Sequence, residues 1–400
     1  MRRALPLFFA FVLTFVAPLS VQAQEVPFAT WLSELRAEAS AKGISSATLD
    51  AALTGLQPIP RVIELDRRQP EFTWTFRDYM TKLVNDQRIA KGRKELAENA
   101  KLLNEIGDKY GINPRFLVAF WGLETDFGRL AEGYFPTVAA LATLAHDGRR
   151  SKFFREQLLA ALRIIDQGHI TPERMKGSWA GAMGHFQFIP TTFAAYAQDY
   201  DGDGKQDIWG NQADAYASAA NFLTKTGWKD AETWGREVTL PQGFDFNLAS
   251  MKVRKPLADW QALGVRRVGG ANLPVADVKA SVVAPSGATG PAFLVYGNFR
   301  TIMVWNRSIF YAIAVGHLAD RLVKLPGLST LGPKGSRGLT FDEGQELQRT
   351  LTAMGFDTGG VDGVVGPKSR EAIRDFQRKA GLTPDGHPSV ELLGAGRKGL

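Results

Sequence analysis

The stretch Asn113-Pro-Arg-Phe-Leu-Val-Ala-Phe-Trp-Gly-Leu-Glu-Thr-Asp-Phe-Gly128 predicts one buried helix that carries an acidic side chain. Its early proline suits a first helical turn and its final glycine suits the position after a helix end. Leu117, Trp121 and Glu124 follow one another at spacings of four and three residues. Glu124 therefore lies on the apolar stripe of the predicted helix.

A carboxylate on an apolar stripe is costly to bury unless it is paired or protonated. Burial raises the pKa of a carboxyl group, and a pKa near neutrality suits a general acid. The alternative is a glutamate neutralised by an arginine or a backbone amide, which helical periodicity alone does not exclude. Asp126 points about 200° away from Glu124 around the helix and is not an obvious catalytic partner.

The surrounding sequence divides into helical and β-prone parts. Residues 27–167 are helical in pattern, as in Glu95–Tyr110, where apolar residues recur every three or four positions. Residues 238–301 contain proline, glycine and short β-prone runs, and we interpret them as a small β-containing insertion. Helical spacing returns over Ser308–Leu322. The β-prone runs are Ala280–Val283 and Ala292–Tyr296.

The C-terminal part is predicted to be a separate small unit. Residues 325–339 hold two prolines and four glycines without apolar periodicity, which is typical of a linker. Residues 340–400 contain apolar helical stripes on both sides of an Asp- and Gly-rich loop, Asp357–Pro367. Because about 60 residues form only a marginal core, we expect a helical module rather than a catalytic domain.

The composition excludes several kinds of chemistry. The chain has 400 residues, a formal net charge of +7 and no cysteine. Disulfides, thiolate metal sites, a cysteine nucleophile and a lipidated N-terminal cysteine are therefore excluded. The positive charge is compatible with nucleic acid, a membrane surface or an acidic polymer. The five histidines show no zinc-ligand spacing, and no organic cofactor is expected.

Residues 1–23 have the features of a cleaved secretory signal: a basic start, an apolar run over Leu5–Leu19 and the small-residue site Val21-Gln-Ala23. The alternative is a membrane anchor, but two prolines interrupt the run, which is short for a spanning helix. We therefore expect a soluble, exported, periplasmic protein without a stable membrane anchor. Export also argues against nucleic acid as a partner.

An acidic loop after residue 198 has the ligand pattern of an EF-hand. Carboxylates stand at loop positions 1, 3, 5 and 9, a glycine at position 6 and a backbone carbonyl at position 7. Position 12 is Gly210 instead of glutamate, so we expect the last ligand from Asp214. The alternative is an acidic turn that holds no metal. The expected ligands of a structural calcium or sodium ion are Asp199, Asp201, Asp203, Lys205, Asp207 and Asp214.

A second motif, Gly177-Ser-Trp-Ala-Gly-Ala-Met-Gly-His-Phe-Gln-Phe-Ile-Pro190, mixes small residues with aromatic ones. Such a backbone can approach a ligand closely, although a tightly packed helix junction would have the same composition. Together with three further motifs it resembles the lytic murein transglycosylase B family, in order over residues 24 to about 325. Those motifs are WGLETDFG (121–128), DRRQPEF (66–72) and TVAALATLAHDGRR (137–150).

The resemblance implies a lysozyme-like helical domain with added α and β lobes, and therefore a mainly α, α+β fold. It also implies non-hydrolytic cleavage of the MurNAc–GlcNAc β-1,4 bond of peptidoglycan, which leaves 1,6-anhydroMurNAc ends. Glu124 matches the single catalytic glutamate of the family, which acts first as acid and then as base. Substrate contacts are implied for Ser178, Gln187, Asn306 and Tyr311, and for Trp305, whose ring could stack on a sugar where a tyrosine is common.

Residues 340–400 resemble the three-helix peptidoglycan-binding domain, through motifs such as Gly360-Val-Asp-Gly363 and Gly366-Pro367. The domain organisation expected is a signal peptide (1–23), a catalytic domain (24–324), a linker (325–339) and a wall-binding domain (340–400). The expected partners of this monomer are glycan strands, with proteins of cell-wall synthesis or division as candidates. A lysozyme-like hydrolase and a non-catalytic peptidoglycan-binding scaffold are the alternatives.

Overall fold

The computed structural model describes residues 26–67 and 74–397. The predicted signal at residues 1–23 lies outside the described residues, as do positions 68–72 of the motif at 66–72. Within the described ranges, no helix combines the length and the apolar character needed to cross a bilayer.

The N-terminal half is built from helices, as predicted. In chain order these are α1 (Phe28–Ala41), α2 (Ser46–Leu53), α3 (Pro60–Arg67), α4 (Phe76–Leu83), α5 (Asp86–Glu98), α6 (Ala100–Tyr110), α7 (Pro114–Thr125), α8 (Thr137–His146) and α9 (Ser151–Asp166). The apolar repeat over Glu95–Tyr110 spans two helices rather than one. Asn99 ends α5 and begins α6, and its side-chain amide donates to the Glu95 carbonyl at 3.0 Å.

Helix α7 is the buried helix expected from the sequence. The Asn113 side chain caps its first turn, with Pro114 at the first helical position, and the whole run 116–122 is buried. The predicted stop at Gly128 lies three residues beyond the observed last helical residue, Thr125. The helix stops at Thr125 because residues 126–128 all adopt left-handed backbone conformations, with φ of 51°, 58° and 80°.

A two-stranded pair frames the glycine-rich motif. Strand β1 (Phe135–Pro136) pairs antiparallel with β2 (Lys176–Gly177), and the motif leads from β2 into α10 (Pro190–Tyr196). The acidic loop follows, and α11 (Gln212–Lys225) comes after it.

The predicted β-containing insertion consists of β3 (Gly235–Thr239), β4 (Lys255–Pro256), α12 (Leu257–Ala262), β5 (Arg266–Arg267), β6 (Lys279–Val283) and β7 (Ala292–Val295). Its strands form a five-stranded antiparallel sheet in the order β4-β6-β7-β3-β5. Alternate residues of β7 face opposite sides: Phe293 and Val295 join the helical core, while Ala292 and Leu294 join the core of the lobe. The sheet therefore attaches the lobe to the helical body.

Two helices follow the sheet and complete the helical body, and the predicted helical run at 308–322 is confirmed. They are α13 (Gly297–Trp305) and α14 (Ile309–Leu322). The β-prone region therefore ends before Gly297, a few residues earlier than the predicted limit of 301.

The C-terminal part has its own small core of leucine, isoleucine, alanine and phenylalanine side chains. It consists of α15 (Phe341–Ala353), α16 (Pro367–Lys379) and α17 (Val390–Arg397), so the predicted three helices are confirmed. The preceding segment contacts the body, since Arg77 Nε donates to the Pro333 carbonyl at 2.9 Å and Glu237 accepts from the Ser329 amide at 2.8 Å. The mainly α fold class with a small β insertion is confirmed.

Candidate active site

Glu124 lies one residue before the end of α7 and is partly buried. Its Oε1 accepts two hydrogen bonds from the end of α13 and the first turn of α14: one from the Trp305 indole Nε1 at 2.9 Å, the other from the Tyr311 hydroxyl. Both donors are neutral. Neither the arginine nor the backbone amide of the alternative interpretation pairs with Glu124 within the described ranges.

Burial raises the pKa of Glu124 from its usual value to about 7, while the hydrogen bonds from Tyr311 and Trp305 lower it in part. The Tyr311 phenol in turn has its pKa raised, by burial and then by the Glu124 charge. Glu124 therefore exists in both protonation states near neutral pH, as an acid–base group requires. Both hydrogen bonds go to Oε1, which leaves Oε2 to exchange a proton with a ligand.

Asp126, the carboxylate closest to Glu124 in sequence, is held by cations. Its Oδ2 accepts from Arg129 Nε at 2.6 Å and lies 3.7 Å from Lys91 Nζ. The left-handed backbone at residue 126 turns this side chain toward α5. This agrees with the expectation that Asp126 is not a catalytic partner of Glu124.

Trp305 is fixed by a ring of phenylalanines. The centroids of Phe120 and Phe222 lie 4.6 and 4.8 Å from that of Trp305, and those of Phe188 and Phe186 lie 5.4 and 6.2 Å away. These contacts aim the indole N–H at Glu124. The stacking of this ring on a sugar stays a prediction.

Ser178 and Gln187 shape the glycine-rich motif. The Ser178 hydroxyl accepts from the amides of Ala180 and Ala182 at 3.3 and 3.1 Å. Gln187 has a left-handed backbone with φ of 50°, and its Nε2 donates to the Gly184 carbonyl at 3.1 Å. Their contacts with substrate stay predictions.

Asn306 is exposed directly after α13, and its side-chain oxygen accepts from the Ser308 amide at 3.1 Å. The Ser308 hydroxyl caps α14 by accepting from the Tyr311 amide at 3.3 Å. The structure thus brings Glu124, Trp305 and Tyr311 into direct contact and places Asn306 beside them in the chain.

The acidic loop brings three of the predicted ligands together. One carboxylate oxygen from each of Asp199, Asp201 and Asp203 lies within 4.8 Å of the others, the only such metal-type grouping in residues 26–67 and 74–397. Gly204, at loop position 6, has φ of 88°, a conformation that favours glycine. Crowded carboxylates without a paired lysine or arginine in the described ranges suit a hard cation with oxygen ligands.

Asp207 and Asp214 support the loop from its second half. Asp214 is fully buried, and its two oxygens accept from the backbone amides of Tyr200 and Asp207 at 2.7 and 2.8 Å. It therefore fastens both ends of the loop and is not grouped with the exposed carboxylates. Asp207 accepts from two amides that follow it, and the Lys205 backbone lies between Asp203 and Asp207.

Sequence reasoning missed two residues near the site. Tyr79 on α4 lies close enough to Tyr311 to raise the pKa of that phenol. His185 accepts from the Trp121 indole at 2.8 Å through Nδ1, and its carbonyl accepts from Thr125 Oγ1 at 2.8 Å. The position of His185 inside the glycine-rich motif was a signal, but its contact with α7 depends on tertiary packing.

Two family models match this chain. The Transglycosylase SLT domain matches residues 27–320, and a peptidoglycan binding domain matches residues 342–395. The chain is 31% identical over 251 residues to the membrane-bound lytic murein transglycosylase B of Escherichia coli K12. That match covers 60% of this chain and 66% of the relative, so the chain spans just under two thirds of its length.

Solved structures agree with the family match. SltB3 from Pseudomonas aeruginosa in complex with NAG-anhNAM-pentapeptide is 45% identical with a TM-score of 0.89, covering 92% of this chain and 99% of that one. Escherichia coli SLT35 in complex with calcium is 26% identical with a TM-score of 0.62, covering 73% and 92%. The chain therefore belongs to the lytic transglycosylases of the SLT-domain family.

Proposed function

We propose that this chain cleaves the MurNAc–GlcNAc β-1,4 bond of peptidoglycan without water, with Glu124 as the only acid–base group. The observation that carries this proposal is the carboxyl group of Glu124, whose pKa is about 7 and whose Oε1 is held by two neutral donors. Ordinary glycoside hydrolysis divides the work between two carboxyl groups. The carboxylate of Asp126 is engaged by cations, which supports a single glutamate serving both steps.

In the first step the proton on Glu124 Oε2 moves to the glycosidic oxygen as the C1–O bond breaks. The GlcNAc leaves with that proton on its hydroxyl, and positive charge develops at C1 of MurNAc. The N-acetyl group of the same sugar can stabilise this charge, as in the substrate-assisted glycosidases. The Tyr311 and Trp305 donors favour this step because they stabilise the carboxylate that it creates.

In the second step the Glu124 carboxylate takes the proton of the muramic C6 hydroxyl while that oxygen bonds to C1. The product is a 1,6-anhydro sugar, and Glu124 returns to its protonated form. Because the nucleophile belongs to the bound sugar, proximity replaces a positioned water. The bound NAG-anhNAM-pentapeptide of SltB3 has the anhydro end that this step would form.

We further propose that the acidic loop holds a structural calcium ion. Asp199, Asp201 and Asp203 would supply side-chain oxygens, with Asp207 and the Lys205 carbonyl as further ligands. The ion would neutralise the clustered negative charge and stiffen the loop, and it would not touch the substrate. The calcium complex of SLT35 supports this proposal. We keep Asp214 as the prediction for the last ligand, although its two backbone hydrogen bonds favour a supporting role.

The domain limits 24–324, 325–339 and 340–400 are part of the proposal, as are the cleaved signal and the periplasmic location. The C-terminal module would keep the enzyme on the wall by weak binding that raises the local concentration of glycan strands. The family match at residues 342–395 supports this role.

The proposed reaction is tested by digesting purified peptidoglycan with wild type and Glu124→Gln and analysing the products by mass spectrometry. We expect anhydro ends from wild type and no product from the variant. Reducing ends, which are heavier by one water, would instead identify a lysozyme-like hydrolase. A wild-type protein that binds the wall without cleaving it would identify a scaffold.

A further inference from the structure

The contacts of His185 join the acidic loop to the helix that carries Glu124. On one side its Nδ1 accepts from the Trp121 indole at 2.8 Å. Its carbonyl accepts from the Thr125 hydroxyl at 2.8 Å. Trp121 and Thr125 are the residues three before and one after Glu124, so this end of α7 is attached to His185 at two points.

The end of α7 is also shaped to receive the His185 ring. A Cβ atom on Gly128 would lie 2.7 Å from that ring, so only glycine leaves room for it there. The Gly128 amide donates to the Thr125 hydroxyl at 3.2 Å, which ties the left-handed turn to the same hydrogen-bond group. The His185 ring and the end of α7 therefore hold each other in place.

On its other side His185 contacts the last part of the acidic loop. Its amide donates to the Ile208 carbonyl at 3.0 Å, and its ring lies beside the backbone of Trp209. Since Nδ1 is the acceptor for Trp121, the ring proton lies on Nε2. Asp207 in turn accepts from the amides of Trp209 and Gly210 at 3.0 and 2.8 Å.

We propose that His185 is a positioning residue that couples the geometry of the acidic loop to that of Glu124. The path runs from Asp207 through the backbone of Ile208 and Trp209 to His185, whose ring accepts from Trp121 and whose carbonyl accepts from Thr125. Loosening either end shifts the Glu124 carboxyl relative to its two donors. This inference rests on the proposed function, because it assigns His185 a role in that same acid–base chemistry.

The variants separate the two halves of this path. His185→Asn keeps an acceptor near the place of Nδ1 but loses the Nε2 donor, while His185→Ala loses both. His169→Ala is the matched control, because His169 Nδ1 also accepts from the loop, from the Gln206 amide at 3.1 Å, whereas its ring contact is with Phe193 of α10.

Turnover of purified glycan strands tests the positioning role. We expect His185→Ala to lower kcat by about 10- to 100-fold with KM within about twofold, because a misplaced catalytic group costs turnover more than binding. His169→Ala should leave both within about twofold. A His185→Ala enzyme with the kcat of wild type, or one that loses no more than His169→Ala, would overturn the proposal.

Calcium and a chelator test the coupling. We expect chelation to lower the kcat and the melting temperature of wild type. In His185→Asn chelation should lower only the melting temperature. The loop of this variant still binds the ion, but the ring contact between the loop and α7 is lost. The coupling would be overturned if chelation left the kcat of wild type unchanged, or if it lowered the kcat of His185→Asn as much as that of wild type.

If His185→Ala does not fold, Trp121→Phe provides the test, since it removes the indole donor and keeps an aromatic ring. It should lower kcat with little change in KM, and an unchanged kcat would overturn the proposal. Failure of the proposed function is recognised separately, because wild type would then release no anhydro product.

Discussion

Replacing Glu124 by glutamine should stabilise the folded protein at alkaline pH. In wild type the pKa of this carboxyl rises from 4.5 to about 7 because the group is buried. As the pH rises from the first value to the second, the unfolded chain loses this proton while the folded chain retains it. The free energy of unfolding of wild type therefore falls through this range, by about 1.4 kcal/mol for each unit.

The gap of 2.5 units, 7 minus 4.5, corresponds to about 3 kcal/mol of stability lost above the folded pKa. Glutamine has no charge to bury, and its oxygen can still accept from Trp305 and Tyr311. Glu124→Gln should therefore match wild type within about 1 kcal/mol at pH values below 4.5 and exceed it by about 3 kcal/mol above 7.

Urea unfolding of both proteins at one pH below and one above this range measures the difference. Glu132→Gln is the matched control, because Glu132 is exposed in the loop that follows α7. It should change the free energy of unfolding by less than about 0.5 kcal/mol at either pH. If Glu124→Gln differed from wild type equally at both pH values, the assignment of a buried, raised-pKa carboxyl would be refuted.

Three further predictions concern other parts of the molecule. Tyr311→Phe removes a donor that favours the Glu124 carboxylate, worth about 1.5–3 kcal/mol, so the upper limb of the kcat/KM profile should move to higher pH by about 1–2 units; an unmoved limb would contradict it. Chelation should lower the melting temperature of wild type and added calcium should restore it, whereas the melting temperature of Asp203→Asn should not change with either. A wild-type melting temperature that is the same with chelator and with calcium would count against the ion. Gln348→Ala leaves two backbone amides of the C-terminal loop without an acceptor and should destabilise that module by about 1–3 kcal/mol. Binding to insoluble peptidoglycan should therefore fall while turnover of soluble strands is kept, and undiminished binding would contradict this.

Local pattern predicted the elements of the fold more accurately than their ends. The start of α7 was predictable because Asn113 and Pro114 act within one helical turn. Its end was not, because Phe127 turns back over the helix and packs where a Cβ atom on Gly122 would lie only 2.7 Å from its ring. This packing of Phe127 against Gly122 is a tertiary contact, which the periodicity of a single helix does not predict.

Of the candidate site, too, only the features that depend on local sequence pattern were predictable. The apolar stripe identified Glu124 as a buried carboxyl, but its donors come from residues 181 and 187 positions away. No spacing in the sequence could show that the Trp305 indole provides an N–H to the carboxylate. The loop pattern likewise placed Asp199, Asp201 and Asp203 together, yet it could not show that backbone amides occupy both oxygens of Asp214.

Product analysis with Glu124→Gln and Glu132→Gln tests the central claim most directly. Purified peptidoglycan is digested by each variant and by wild type, and the ends of the released muropeptides are identified by mass spectrometry. We predict 1,6-anhydro ends from wild type and Glu132→Gln, and no cleavage by Glu124→Gln. Anhydro products released by Glu124→Gln at the wild-type rate would contradict the assignment of Glu124 as the single acid and base.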